Sequence, residues 1–465
     1  MVENNQQMNI KARGLQYLNK WRQSSKSSIN RQIFTATIIV GLLTGLGKFA
    51  STGKELVVAW RFGTGNELDA FVMAMVVPSF VVTVIAESFK AALIPTYIDV
   101  REKQGSQAAQ KLFSGVTTRA VSFLVAAAVL MAATAPLYLP FLASGFDSEK
   151  LQLTNRLLWS LCPVILLFGI INIWGGVLNA GEKFALAAIT PILMPLVTVI
   201  LLLIFPNWGV YSLVVGLLSS SMIEIIVLGY GLRRQGVKII PQWSEDDVNV
   251  SRVFKQYFPV VVGSFLMCST LLVDQSMAAM LSPGSVSALA YANRVIALPL
   301  TLVTLALGTA VVPYFSKTIA EQDWRKINHT FKYYLKLIFI TTVPLTLFFI
   351  IASKLIIKIL FERGSFSPED TQLVAQIQVL YALQIPFYIS AIFVVKLINS
   401  LGINHFLAWG SSINLIANIV ANYAFVQWIG VKGIALSTSC VYLISFAFLY
   451  ILTNRHLQKI LLENS

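Results

Sequence analysis

Long apolar segments separated by polar loops occupy nearly the whole chain after its first 32 residues. A helix that crosses the hydrocarbon core of a bilayer needs about 20 mainly apolar residues, and by this measure the pattern predicts about twelve spans. Their predicted bounds are 33–56, 69–97, 115–142, 155–178, 183–205, 208–232, 254–281, 285–315, 331–360, 372–400, 404–427 and 431–454. The sequence therefore predicts an all-α polytopic membrane protein.

The composition supports this prediction and excludes several other classes of protein. Hydrophobic residues make up 56% of the 465 residues and charged residues only 12%, whereas soluble domains carry about 25% charged residues. The net charge of +14 is spread over short loops and does not follow one face, so no nucleic-acid partner is expected. The three cysteines and three histidines are isolated from one another, which predicts neither a metal site nor a catalytic site.

The distribution of Lys and Arg predicts the orientation in the membrane. Basic residues concentrate in the N-terminal arm 1–32, in the segment 233–253 and in the loop 316–332, while the alternate loops carry few. Loops rich in Lys and Arg remain in the cytoplasm. Both termini are therefore predicted to be cytoplasmic.

The two halves of the chain resemble each other. Three pairs of residues recur at a separation of about 220 positions, which indicates an internal repeat. These pairs are Pro78 with Pro299, Pro95 with Pro313, and Asn179 with Asn399. The repeat predicts two six-helix lobes, 33–232 and 254–465, joined by a cytoplasmic linker, 233–253, and related by a pseudo-two-fold axis along the membrane normal. Such lobes can open a central cavity to either side, as a transporter requires.

Several ionisable residues fall inside predicted spans. An ionised side chain near the bilayer centre costs roughly 2.5–3.5 kcal/mol on insertion scales, so it needs a partner or a wet cavity. Cations from the first and eighth spans that converge on one cavity would suit an anionic substrate such as a diphosphate. Alternatively, these side chains extend to the lipid headgroups. The residues concerned are Lys48, Lys54, Glu55, Glu87 and Arg294.

A second group of polar residues lies in the later spans. Asn414, Asn418 and Asn422 are four residues apart and share one face of a helix. Together with Asp274 and Thr438 they offer oxygen ligands for a coupling Na⁺, and a coupling H⁺ is the other cation considered. The same residues could instead hydrogen-bond neighbouring helices together, and the sequence leaves both readings open. No other cofactor is expected.

Several short motifs follow one another along the chain. They are Lys54-Glu55, Gly63-x-Gly65, Asp69-Ala70-Phe71, Ala86-Glu87 and Ile94-Pro95 within Leu46–Gly105, and later Tyr291-Ala-Asn-Arg294 and Phe361-Glu-Arg-Gly364. In these motifs the chain resembles the MurJ/MviN family of lipid II flippases. The resemblance implies alternating access around a cationic cavity in the bacterial plasma membrane. It also implies that Lys48, Lys54, Glu55, Asp69 and Arg294 correspond to cavity residues of the family.

The expected substrate is a polyprenyl-diphosphate-linked saccharide, the peptidoglycan precursor lipid II, flipped from the cytoplasmic to the outer leaflet. Membrane lipids and cell-envelope biosynthetic enzymes are the other expected partners. Departures from the family, such as Val82-Thr83 in place of paired arginines, leave a surface-polysaccharide unit as an alternative headgroup. A drug or metabolite exporter, a glycan polymerase or ligase, and a membrane scaffold are more distant alternatives.

Overall fold

The computed structural model describes residues 29–181, 184–239 and 248–463, and these residues form helices joined by short turns. The helices are α1 (Ile29–Phe62), α2 (Asn66–Gln104), α3 (Ser106–Leu142), α4 (Ser148–Ala180), α5 (Ala185–Ile204), α6 (Tyr211–Arg234), α7 (Val248–Ala279), α8 (Ser285–Ala320), α9 (Trp324–Ile351), α10 (Ser353–Phe361), α11 (Pro368–Ala382), α12 (Ile385–Leu401), α13 (His405–Ile429) and α14 (Val431–Glu463). Most of the basic arm 1–32, together with part of the linker 233–253, lies outside the described residues.

Each predicted apolar segment is helical, which confirms the all-α polytopic fold. Among the described residues, nine helices are long and apolar enough to cross a membrane, and ten spans result if α11 and α12 form one span bent by 42°. The other two predicted spans correspond to α1 and α13. In α1 the charges Lys48, Lys54 and Glu55 fall in the second half of the helix, and α13 carries three asparagines.

Two apolar clusters form the core. The larger cluster contains residues from both halves of the chain, for example Ala70 and Leu161 from the first half and Leu289 and Phe393 from the second. The smaller cluster joins α2, α3, α4 and α6, and it includes Val253 near the start of α7. The helix α7 therefore begins inside the segment predicted as a linker, and its first turns pack with the first half of the chain.

The two halves touch on the side of the fold where α1 ends and α2 begins, here called the distal side. The Ser365 amide donates a hydrogen bond to the Trp60 carbonyl at 2.9 Å. Gly63 and Gly364 adopt φ values of +53° and +63°, and a Cβ at either would lie 2.3 Å from a carbonyl oxygen of the other half. Glycine is thus required for this close approach, which shuts the distal side.

Candidate functional site

A charged cluster joins the first and second halves of the chain in the middle of the fold. The Lys54 ammonium lies 2.7 Å from the Glu55 carboxylate on the same helix, α1. The Arg294 guanidinium, on α8, contacts the other oxygen of Glu55. Arg294 keeps 41% of its side chain exposed, whereas Lys54 and Glu55 are nearly buried. Glu55 therefore holds two cations from opposite sides.

This cluster lines a cavity of about 350 Å³ between the two halves. The remaining wall is mostly apolar and includes Phe71, Val72 and Met75 from α2. Two cations and one carboxylate leave the cavity with one net positive charge. In surroundings of low polarity that charge is screened less than it would be in water, so the cavity favours an anion.

A second cavity of about 550 Å³ adjoins the first on the side of the second half. Val76, Ser79, Leu271, Gln275 and Asn293 line both cavities, so the two are contiguous. The wall of the second cavity comes mainly from α7, α12, α13 and α14, and it carries tyrosines and amides instead of cations. The central space thus has a cationic end and a polar end whose lining includes the Asp274 carboxylate.

The four residues expected to hold a coupling cation lie together beside the second cavity. The Asn418 and Asn422 amides donate to the Asp274 carboxylate at 2.9 and 2.6 Å. Thr438 lies against the same carboxylate. Asp274 is only 8% exposed, and these bonds tie α7 to α13. In this arrangement the amide nitrogens stabilise the carboxylate, as expected for hydrogen bonding between helices.

Asp69, which the resemblance placed among the cavity residues, lies at the distal side and lines neither cavity. Its side chain is fully buried and pairs with the Lys150 ammonium of α4 at 2.7 Å. It also accepts hydrogen bonds from the backbone amides of Gly284 and Ser287, at 2.7 and 2.8 Å, at the start of α8. These two amides lack partners within their helix, so the carboxylate caps α8 from the first half of the chain.

Lys48 and Glu87 do not join the charged cluster. Lys48 lies six residues before Lys54 in α1, and Glu87 ends a π-helical turn, Thr83–Glu87, in α2. Both side chains are exposed, and neither lines the two cavities. Of the residues predicted to line one cationic cavity, Lys54, Glu55 and Arg294 therefore form the cavity cluster, Asp69 lies at the distal side, and Lys48 and Glu87 are exposed.

Sequence reasoning missed Lys150, Gln275 and Asn293 as parts of these sites. From the sequence, Lys150 is expected to be a charged residue of an exposed loop, because it lies in a polar segment just after Asp147, a good N-cap residue. Gln275 could have been identified from the sequence as a polar residue inside a predicted span, directly after Asp274. Within the described residues, no group of three or more His, Cys, Asp and Glu side chains could hold a metal ion.

Comparisons with known proteins agree with this geometry. The family model described as "Lipid II flippase MurJ" matches residues 58–464. The chain is 24% identical over 453 residues to the probable lipid II flippase MurJ of Vibrio cholerae, with 93% of this chain and 85% of that protein covered. It is 29% identical over 420 residues to the probable lipid II flippase MurJ of Helicobacter pylori, with 84% and 88% covered.

Solved structures show the same fold. The inward closed conformation of a lipid II flippase MurJ matches with a TM-score of 0.79 at 24% identity, covering 91% of this chain and 90% of the other. An inward-facing multidrug resistance transporter of the MATE family, within the MOP superfamily, matches with a TM-score of 0.76 at 12% identity, covering 91% and 98%. These likenesses extend over nearly the whole of the described chain.

Proposed function

Because this chain belongs to the lipid II flippase MurJ family, we propose that it moves lipid II from the cytoplasmic to the outer leaflet of the plasma membrane. The observation that supports this substrate is the cluster of Lys54, Glu55 and Arg294 in the central cavity. A diphosphate carries the negative charge that the two cations can hold. The cluster is formed by α1 and α8, so ligand binding involves both halves of the chain.

Binding would proceed by exchange of partners. Glu55 occupies both cations in the absence of substrate. An arriving diphosphate offers more oxygens and more charge than one carboxylate, and Arg294 can hold two of those oxygens at once. Glu55 thus keeps the cations paired in the empty cavity, where an unpaired ion would be costly.

Transport would follow from alternating closure of the two sides. The distal side is shut by Asp69 and by the glycine contacts between Gly63, Gly364 and their neighbours. Because the distal side is shut, the headgroup would enter from the opposite side. Opening the distal contacts while closing the other side releases it.

The orientation in the membrane follows the positive-inside rule. The basic residues in the last turns of α6 (Arg233 and Arg234) and of α8 (Lys317) lie on the side opposite the distal side, where these helices end. Both termini are accordingly cytoplasmic, and the distal side faces outward. Enzymes of cell-envelope biosynthesis would supply the substrate inside and consume it outside.

We further propose that a coupling cation, Na⁺ or H⁺, acts at Asp274. Rotation of the Asn418 and Asn422 amides would turn two oxygens toward the carboxylate and build an oxygen site for Na⁺. Protonation of Asp274 would instead weaken the same hydrogen bonds. Flipping measured with an imposed Na⁺ gradient or pH gradient distinguishes these cations, and equal rates without either gradient would contradict the proposal.

The experiment that tests the substrate uses bacteria depleted of their own lipid II flippase. The cells express this protein or its Lys54→Ala, Arg294→Ala or Lys459→Ala variant, and lipid II exposed on the outer leaflet is measured. Lys459 is a matched control because its side chain is 75% exposed and lies far along α14. We expect the wild type and Lys459→Ala to restore exposure, and the two cavity variants to fail.

Other results would point elsewhere. A well-expressed wild type that restores no exposure would make a surface-polysaccharide intermediate the better substrate. Efflux of cationic drugs that survives charge reversal of Lys54 and Arg294 would indicate an exporter, since a cation site should not need these cations.

A further inference from the structure

The second cavity has a wall unlike that of the cation-lined cavity. Tyr388 and Tyr442 face each other edge to face, with ring centroids 5.0 Å apart. Gln384 and Asn414 stand beside them in the same wall. Aromatic rings next to amides suit a ligand with apolar faces and polar edges.

Two residues that line this cavity have side-chain amide oxygens without hydrogen-bond partners. The Asn414 amide nitrogen donates to the Ser445 hydroxyl at 3.0 Å, but its oxygen is buried without a hydrogen-bond partner among the described residues. The side-chain oxygen of Gln275, a residue that lines both cavities, is also buried without a hydrogen-bond partner among the described residues. A buried acceptor without a donor is destabilising, so a turn of either side chain toward the cavity would be favoured by a ligand that donates to its oxygen.

The acceptors in this wall suit a neutral ligand that donates hydrogen bonds. Asp274 also lines the cavity, and both of its amide hydrogen bonds end on one carboxylate oxygen, Oδ1. A carboxylate beside amide oxygens disfavours an anion and pairs well with hydroxyl and amide N–H groups. Saccharides that carry hydroxyl and acetamido groups offer both, together with ring faces that can lie on tyrosines.

The backbone at this wall is also broken. The helices α11 and α12 meet at a bend of 42°, and Gln384 directly precedes the first residue of α12. Interrupted helices occur at membrane depth where they line a cavity, and they form the binding sites of many transporters. The break thus marks the second cavity as a binding site.

We propose that the second cavity is a saccharide subsite, in which Asn414, Gln275 and Tyr388 recognise the sugar portion of a lipid-linked substrate. This inference rests on the proposed function, because it takes the diphosphate to lie against Lys54 and Arg294. The two cavities are contiguous through Gln275 and Asn293. A sugar joined directly to a diphosphate can therefore occupy both at once.

The test compares two probes, lipid II and a polyprenyl diphosphate without sugar, bound to the purified full chain in lipid nanodiscs. The variants are Asn414→Leu and Tyr388→Leu. The matched control is Tyr423→Leu, the same substitution at a side chain that is 66% exposed. Thermal unfolding of each variant identifies any that fail to fold, and each site variant tests the subsite independently.

We expect each site variant to bind lipid II roughly tenfold more weakly, the effect of about one lost hydrogen bond or ring contact, and to bind the bare diphosphate as the wild type does. Arg294→Ala should weaken both probes. If folded site variants bind both probes more weakly by the same factor, or bind both as the wild type does, the saccharide subsite is wrong although the diphosphate site stands. If the wild type binds the two probes equally, the same conclusion follows. If the wild type binds neither probe, the proposed function itself falls, and the subsite falls with it.

Discussion

The distal contact at Asp69 gives the sharpest prediction about how the protein changes conformation. Asp69 accepts hydrogen bonds from the Gly284 and Ser287 amides across the two halves, and from Lys150 within its own half. The substitution Asp69→Asn keeps the shape but leaves one acceptor oxygen in place of two. At least one of the two bonds between the halves is then lost.

The size of the effect follows from the hydrogen bonds. A hydrogen bond to a charged group contributes about 1.5–3 kcal/mol, so the closed distal side loses about that much relative to the open one. Because 1.4 kcal/mol is about a factor of ten, the open population should rise by about 10- to 100-fold. The same substitution leaves the Lys150 ammonium, only 6% exposed, without its carboxylate.

The unpaired Lys150 ammonium lowers the stability of the fold, and this effect of Asp69→Asn can be separated from its effect on the contact between the halves. Removing one partner of a buried ion pair destabilises the fold by about 3–5 kcal/mol. The double variant Asp69→Asn/Lys150→Met removes that charge, so it should regain thermal stability. It should nevertheless retain the weakened contact between the halves. A distal opening present in both variants is therefore a property of the contact and not of unfolding.

The assay measures the distance between spin labels on the two halves at the distal side. Labels are attached at Glu149→Cys and Glu369→Cys, both exposed, in a protein whose three native cysteines are replaced. We expect the wild type to give mainly one short distance and Asp69→Asn to add a longer one. Asp147→Asn is the control, because Asp147 caps α4 within one half and asparagine caps equally well. A folded Asp69→Asn protein with the wild-type distances would refute the reasoning.

Three further predictions concern other contacts. The variant Gly364→Ala should also lengthen the distal distances, because its Cβ would lie 2.3 Å from the Trp60 carbonyl oxygen at a φ of +63°; unchanged distances would contradict this. Asp274→Asn should fold but lose the dependence of flipping on Na⁺ or pH in reconstituted vesicles, and retained dependence would place the cation elsewhere. Arg252→Glu should lower the melting temperature only slightly, because its pair with Asp99 is at the surface and Asp99 keeps a second partner, Lys103. A large fall in the melting temperature would contradict this.

Local sequence rules predicted the helices and one of the clusters. The apolar runs located the long helices, since a membrane helix must satisfy its own backbone hydrogen bonds along its whole length. The asparagines of α13 were placed on one face by their spacing, and two of them do meet Asp274. Residues four apart on a helix share a face whatever surrounds them, so this part of the pattern was readable.

Contacts between distant parts of the chain were not readable in this way. Asp69 and Lys150 are 81 residues apart, and only the packing of α2 against α4 brings them together. A charge in a span also does not reveal which face of the helix meets the cavity. Lys54 lines the cavity while Lys48, on the same helix, does not. The resemblance grouped these residues, but the geometry separates them.

The measurement that tests the central claim most directly is the flipping of labelled lipid II by the purified protein in vesicles. Wild type, Arg294→Ala and the peripheral control Lys459→Ala are compared at equal amounts of reconstituted protein. We expect the wild type and Lys459→Ala to flip lipid II, and Arg294→Ala to lose flipping because the cavity no longer binds the diphosphate. Equal flipping by wild type and Arg294→Ala would contradict the cationic cavity as the substrate site, and no flipping by an intact wild type would contradict lipid II as the substrate.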